Sequence, residues 1–159
     1  IDDFDLLIKE KRALIKCETL PIIEVIPLQI SQLFTNLVSN SLKFSRKDIP
    51  PKITITSRIL SKAELDLHKT LLQQCDYCEI SFNDNGIGFE QQFADQIFLI
   101  FHRLHGRSEF PGTGIGLALC KKIVVNHSGE IYAESNETDG ALFRIILPVK
   151  HQEIQQRKV

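Results

Sequence analysis

Hydrophobic and polar positions follow two different periods along this chain. From about Leu28 to Phe44, apolar residues recur at helical spacing, and Ile30, Leu33, Phe34, Leu37, Val38 and Leu42 form one wide face of a predicted helix. The opposite side carries Asn36, Asn40 and Lys43 at i, i+4 and i+7, a polar stripe turned away from the core. Ile49-Pro50-Pro51 breaks the chain, after which Lys52 to Leu60 (KITITSRIL) alternates with period two, as a half-buried strand does. Arg12 to Cys17 reads as an earlier short strand that ends near Leu20-Pro21, and Cys78 to Phe82 as a returning one. Between these strands, Ser61 to Gln74 is polar with a weak helical pattern at Leu65, Leu67, Leu71 and Leu72, as expected of an excursion at a hairpin tip. Phe89 to Pro111 is irregular. Leu117 to about His127 predicts a second long helix, with Gly129 as its C′ residue. Glu130 to Ser135 and Ala141 to Val149 predict two closing strands around a turn at Asp139-Gly140.

Strands and helices mix here without strict βαβ alternation. The expected fold class is therefore α+β: a two-layer sandwich with a mixed sheet of about five strands and helices on one face. The other face is expected to stay relatively open to solvent or to a neighbouring domain. Residues 1–150 read as one domain and 151–159 as a polar tail.

Composition narrows the classes. The 159 residues are 43% hydrophobic, with 19 Lys and Arg against 20 Asp and Glu, so neither disorder nor bulk nucleic-acid binding is supported. No apolar run approaches the roughly 18 residues of a membrane span, and no membrane contact is expected of this domain. The chain contains no Met, which reads as a domain excised from a longer protein. Its four cysteines are scattered and read as reduced and intracellular. Cys75 and Cys78 form a CxxC, but a zinc site needs a second pair or well-spaced histidines. A thioredoxin-like motif would open a helix, whereas Cys78 enters a strand.

Two glycine clusters carry the candidate chemistry. Gly112-Thr113-Gly114-Ile115-Gly116 opens a helix, where converging backbone N–H groups and the helix dipole favour phosphate. A dinucleotide fingerprint needs a strand before the loop and G-x-G-x-x-G spacing, and neither is present; nor is a P-loop. In Asp84-Asn85-Gly86-Ile87-Gly88, a carboxylate ends a strand ahead of two glycines. Such a carboxylate can accept a hydrogen bond from an exocyclic amine, while the glycines let a flat ligand approach. The Asn36, Asn40 and Lys43 stripe adds amide oxygens for a hard cation and an ammonium for phosphate. Together these features compose a site for a purine nucleotide with Mg²⁺.

With those residues in place, NLVSNSLKFS (36–45) resembles the N box of sensor histidine kinases, and DNGIGF (84–89) their G1 box. IFLIFHR (97–103) resembles their F box and GTGIGL (112–117) their G2 box, in the family's order, and the likeness runs from about Leu14 to Pro148. The resemblance implies the catalytic, ATP-binding domain of that family, with the GHKL or Bergerat ATP-binding fold. It implies that Asp84 binds the adenine amino group, with Gly86 and Gly88 shaping the base pocket. Asn40 would coordinate Mg²⁺ with Asn36 beside it, and Lys43 would contact phosphate. Residues 89–116 would form a mobile ATP lid. Gly112, Thr113, Gly114, Gly116 and Leu117 would lie in the nucleotide-binding set, and Arg103, with His105 or Arg107 as further candidates, would reach the terminal phosphate. Phe98 and Phe101 suit either the lid's family role or plain packing of its core.

The same fold hosts ATPases, in which a Glu one turn before the metal-binding Asn activates water. Here that position is Asn36, and an amide is no general base near neutral pH. The expected function is therefore transfer of the ATP γ-phosphoryl group to a His on a dimerisation domain, in cis or in trans, with a response regulator downstream. Alternatives are a degenerate nucleotide-binding module without turnover and a GHKL-type ATPase. The acceptor is not expected in this chain: His68 lies in a helix-like segment but is followed by Lys69 rather than an acidic residue. The domain is expected to be cytoplasmic, with a parent protein that is membrane-anchored or soluble. One departure stands out, since Leu142 takes the place in the last box where a hydroxyl is common.

Overall fold

The computed structural model describes residues 5–101, 113–136 and 139–150. Among these the elements run α1 (Asp5–Lys11), β1 (Leu14–Cys17), α2 (Pro27–Lys43), β2 (Lys52–Ile59), α3 (Lys62–Leu65), β3 (Tyr77–Asp84), α4 (Gly116–Asn126), β4 (Glu130–Asn136) and β5 (Gly140–Pro148). Short 3-10 turns occupy Gln91–Phe93 and Gln96–Phe98. The strands form one sheet in the order β1-β2-β3-β5-β4. β1 runs parallel to β2, with Leu14 opposite Lys52, and α2 provides the crossover that a parallel pair needs. The remaining pairs are antiparallel. This is the mixed, two-layer α+β architecture expected from the sequence.

Pro27 starts α2 where its fixed φ costs nothing and its missing N–H is not needed. The apolar face then buries Leu33, Leu37, Val38 and Leu42 against Cys120, Ile123 and Val124 of α4. Both helices lie on Ile53, Ile55, Ile80, Phe82, Phe143 and Ile145, the alternate residues of the central strands. Truncating a fully buried leucine such as Leu37 in a core of this kind costs about 2–5 kcal/mol. α1, which the sequence reading did not anticipate, closes the C-terminal end of α2. Its Lys11 Nζ donates to Leu42 O at 2.8 Å and to Ser45 Oγ at 2.9 Å, placing a cation at the negative end of the helix.

One local expectation, at the end of α4, is corrected. Ser128, not Gly129, takes the left-handed conformation after α4, with φ 58°. Gly129 follows it, and its N–H donates to Val124 O at 3.0 Å while the Ser128 N–H donates to Val125 O at 2.9 Å, the paired bonds of a Schellman ending. His127, fully buried just before, donates from Nδ1 to Ile123 O and accepts the Ile26 N–H at Nε2, so both ring nitrogens are matched by backbone groups.

The second face of the sheet is more covered than expected. Leu60, Leu65, Leu71, Tyr77 and Ile146 make a small second core under the 61–76 excursion. Leu67 and Leu72, two members of the weak helical pattern, are exposed, and α3 is only one turn long. His68 is not helical; its Nδ1 meets Glu130 Oε2 at 2.7 Å and ties the excursion to β4. Beside this core Glu79, only 2% exposed, accepts from Arg58 Nε at 3.0 Å, Arg144 Nη1 at 3.1 Å and Tyr132 OH at 3.3 Å. Burial, reinforced by the Glu79 charge, pushes the Tyr132 phenol up to about 12.

α3 survives at one turn because a capping box closes it: Ser61 Oγ accepts the Glu64 N–H while Glu64 Oε2 accepts the Ser61 N–H. The Ser61 hydroxyl and backbone N–H, with the Arg58 guanidinium, hold the Glu64 carboxyl down to about 2, from the ordinary 4.5. A depressed folded value means that this carboxylate's contribution is complete above pH 4.5 and is lost as pH falls from there toward 2. An NMR titration of the side-chain carboxyls should therefore show Glu64 with a midpoint near 2, and Ser61→Ala should raise it toward 4.5.

Candidate nucleotide site

Asp84 is the last residue of β3 and sits on the helix-facing side of the sheet, 8% exposed. Three elements hold its carboxylate. Ser41 of α2 donates its hydroxyl to Oδ2 at 2.6 Å. The Gly86 N–H donates to Oδ1 at 2.9 Å from the turn that follows the strand, and the Ala141 N–H donates to the same oxygen at 3.2 Å from β5. A desolvated carboxylate needs donors of this kind, and hydrogen bonds to an ionised group contribute about 1.5–3 kcal/mol each. The close fit depends on Gly140: its φ is +88°, and a Cβ there would lie 2.1 Å from Asp84 O. The turn is further fixed by the Ile87 N–H donating to Phe44 O at 3.0 Å and by Arg46 Nε donating to Gly86 O at 3.0 Å.

On the same side, Asn36, Asn40 and Lys43 are half-buried rather than fully turned to solvent. Asn36 donates its amide to Gln32 O one turn back at 3.0 Å, and its Oδ1 is turned to the start of α4. That oxygen lies only 3.3 Å from where a Cβ on Gly116 would be, so α2's stripe directly meets the first residue of α4. Lys43 holds its ammonium 4.5 Å above the Phe44 ring. Among the described residues the N-terminus of α4 has no side-chain cap, and its first turn carries no acidic residue to meet the helix's positive end. Thr113 is exposed; Gly114, at φ 73°, Gly116 and Leu117 are half-buried at this terminus.

The described part of the 89–116 segment is anchored at both ends. The Phe89 N–H donates to Ser135 Oγ at 2.9 Å, and Gln91 Oε1 accepts the Ser135 N–H at 2.9 Å, pinning the segment's start to β4. Phe98 is buried, edge-on to Phe143 at 6.4 Å between ring centres, with Lys121 Nζ 5.6 Å above it. Phe101 does the opposite: it is 72% exposed at φ 63°, and its N–H donates to Gly114 O at 3.0 Å, joining the two described ends. The two phenylalanines of the F box thus divide between packing and exposure. Arg103, His105, Arg107 and Gly112 lie outside the described residues, as do residues 151–159.

On the helix-facing side, Asp84 and Gly86 thus meet Ser41 and Phe44 at the end of α2, and Asn36 meets Gly116 at the start of α4. Ser41 and Ala141 were missed. A serine among leucines on an apolar helix face gives only one signal, its position next to Asn40. The expectation about Leu142 is corrected. With period two, Ala141, Phe143 and Ile145 face the helices, so Leu142 stands on the other face of β5, paired in register with Asn83. Ala141 is the β5 neighbour of Asp84.

Among the described residues no three His, Cys, Asp or Glu side chains converge as a metal cage. The amide oxygens of Asn36 and Asn40 still suit Mg²⁺, which takes one or two protein oxygens and completes its shell from phosphates and water. Cys75 packs in the second core and Cys78 in the main one, on opposite faces. Burial raises the Cys78 thiol and pushes Cys120 up to about 12, which disfavours thiolate chemistry at both. No helix among the described residues is long and apolar enough to cross a membrane.

Comparison with known proteins agrees with this geometry. A family model described as "Histidine kinase-, DNA gyrase B-, and HSP90-like ATPase" matches residues 26–151. The chain is 41% identical over 150 residues to cyanobacterial phytochrome A of Nostoc sp., covering 94% of this chain and 18% of that protein. It is 33% identical over 127 residues to the sensor protein kinase WalK of Staphylococcus saprophyticus, covering 79% of this chain and 18% of WalK. The chain thus spans less than a fifth of the length of these relatives. Among solved structures, the mycobacterial sensor histidine kinase MprB superposes with a TM-score of 0.71 at 17% identity, covering 95% of this chain and 92% of that one. Full-length ShkA in complex with AMPPNP gives 0.71 at 18% identity, covering 96% and 29%. The chain belongs to the histidine kinase-, DNA gyrase B- and HSP90-like ATPase family, with the ATP-binding fold of histidine kinase catalytic domains.

Proposed function

We propose that this chain is the catalytic domain of a two-component sensor histidine kinase, which transfers the γ-phosphoryl group of ATP to a histidine on a dimerisation domain of its parent protein. The observation that carries the reading is the pairing of a buried, triply held Asp84 carboxylate with an uncapped α4 N-terminus across the Asn36 stripe. An acceptor-only carboxylate beside a glycine turn suits an adenine amino group. An open helix terminus suits phosphates.

In this reading Asp84 accepts from the adenine amino group, and Gly86 and Gly88 let the ring lie against the backbone. Gly112, Thr113, Gly114, Gly116 and Leu117 line the phosphates with their backbone, and Lys43 adds an ammonium. Asn40, with Asn36 beside it, holds Mg²⁺, which supplies charge neutralisation to the phosphates. Arg103 reaches the terminal phosphate. A histidine nitrogen of the partner bonds to the γ-phosphorus as the β,γ-bridging P–O bond breaks; ADP leaves and the imidazole proton goes to solvent. Positioning and charge neutralisation are sufficient for such a transfer. Hydrolysis is disfavoured, because Asn36 offers no base to activate water. A response regulator would receive the phosphoryl group next, in cytoplasmic signal transduction.

The reading is tested by mixing the chain with Mg-ATP and the helical dimerisation domain of its parent protein. Acid-labile phosphate should appear on that partner. Tight ATP binding without transfer would indicate a nucleotide-binding module, and rapid phosphate release without the partner would indicate an ATPase. Asp84→Asn should reduce ATP affinity by at least about 100-fold in calorimetry, since losing a hydrogen bond to a charged group leaves a buried group unmatched as well. Gly140→Ala should weaken both nucleotide binding and thermal stability, because its Cβ would collide with Asp84 O. A Gly140→Ala protein with unchanged melting and ATP affinity would show that the Asp84 fit tolerates movement of β5.

A further inference from the structure

The Asp84 carboxylate sits among donors that are all already turned onto it. Both backbone donors, Gly86 N–H and Ala141 N–H, go to Oδ1. Oδ2 receives one donor, the Ser41 hydroxyl, in a buried contact of 2.6 Å. Ser41 is itself 3% exposed and belongs to α2, so its hydroxyl reaches Asp84 across the boundary between the helix layer and the sheet. The resemblance marked Leu142, on the last strand, as standing where a hydroxyl is common. On that strand the residue beside Asp84 is alanine, and the hydroxyl comes from the helix instead.

We propose that Ser41 is a positioning residue that sets base selectivity. Its single proton is committed to Asp84 Oδ2, which fixes the carboxylate's rotation and leaves only lone pairs, on Oδ2 and on Ser41 Oγ, for a ligand. A wall built only of acceptors favours a 6-amino purine, which brings two N–H donors, over a 6-oxo purine, which brings a carbonyl oxygen against the carboxylate. Without the hydroxyl, Oδ2 loses its fixed partner, the carboxylate can turn, and water can fill the space. The amino-specific contact then weakens, while a 6-oxo base, which never used it, is little affected. This inference rests on the reading of Asp84 as the base-binding group.

The test is calorimetric affinity of the 159-residue chain for ATP and for inosine triphosphate, its 6-oxo counterpart, in the wild type, Ser41→Ala and Ser41→Cys. Ser41→Ala should weaken ATP about tenfold and change inosine triphosphate by less than about twofold, so the preference falls about tenfold. Ser41→Cys keeps the volume but has only a weak donor, and should lose most of the same preference. Equal weakening of both nucleotides, or a wild-type preference in Ser41→Cys, would overturn the proposal, because packing and not the hydroxyl would then be at work. Asp84→Asn separates the two levels. If it leaves ATP affinity unchanged, the base pocket lies elsewhere and the broader reading fails; if it abolishes binding while Ser41→Ala keeps the wild-type preference, only the role of Ser41 fails.

Discussion

One carboxylate joins the two layers of this domain. Asp84 ends the central strand β3, and its hydrogen bonds reach α2 through Ser41, the following turn through Gly86 and the neighbouring strand β5 through Ala141. A charge this poorly exposed is stable only when donors converge on it, so the surroundings must close tightly around it. Gly140 allows β5 to approach, and the Phe44 carbonyl and Arg46 secure the turn. This buried carboxylate thus fixes where helix, turn and strand meet. Its three donors restrain the carboxylate, so the same bonds that satisfy the charge also make the junction rigid.

The start of α4 is built by the opposite means. Among the described residues α4 begins without a side-chain cap and without an acidic residue in its first turn, so it forgoes the usual stabilisation of a helix start. The helix is held elsewhere, by Cys120, Ile123 and Val124 in the core and by the bonded ending at Ser128 and Gly129. The segment preceding it is likewise fixed at its margins, through Phe89 and Gln91 on β4 and through Phe98 on Phe143. The open helix terminus is the kind of local rule-breaking that proteins keep at functional sites and offset by packing.

Much of this was legible in the sequence, and the parts that were not share a physical cause. The apolar face of α2 and the alternation in β2 reveal themselves because burial repeats with the period of the element. The glycine turns reveal themselves because few other residues suit them. Ser41 does not, because a small polar residue on an apolar face looks the same whether it bonds a ligand-binding group or its own helix. The place of Leu142 is a register matter: one residue along a strand exchanges the faces, so Leu142 and Ala141 face opposite sides of the sheet though they are adjacent. α1 is seven residues long and buries none of them fully, so it leaves little periodic trace; Leu7 and Ile8 only partly cover the core, and Lys11 bonds Leu42 O and Ser45 Oγ, 31 and 34 residues away. Ser128 in a left-handed conformation was hidden behind the more obvious glycine beside it.

The two faces of the sheet then separate two demands. On the far face, Glu79 sits between Arg58 and Arg144 while the 61–76 excursion is tied down by its capping box and by His68 to Glu130. These charges satisfy one another, and the small apolar core beneath them keeps that side closed. On the near face the polar groups are arranged the other way. Asp84 gathers its donors there, and Asn36 sets its amide oxygen against the first residue of α4. In the proposed reading this division has a kinetic consequence. Everything on the near face binds or orients, and the residue placed where a base would activate water is an amide. A bound nucleotide would therefore persist until a nucleophile arrives already positioned, which is what a phosphoryl donor acting on a separate domain requires.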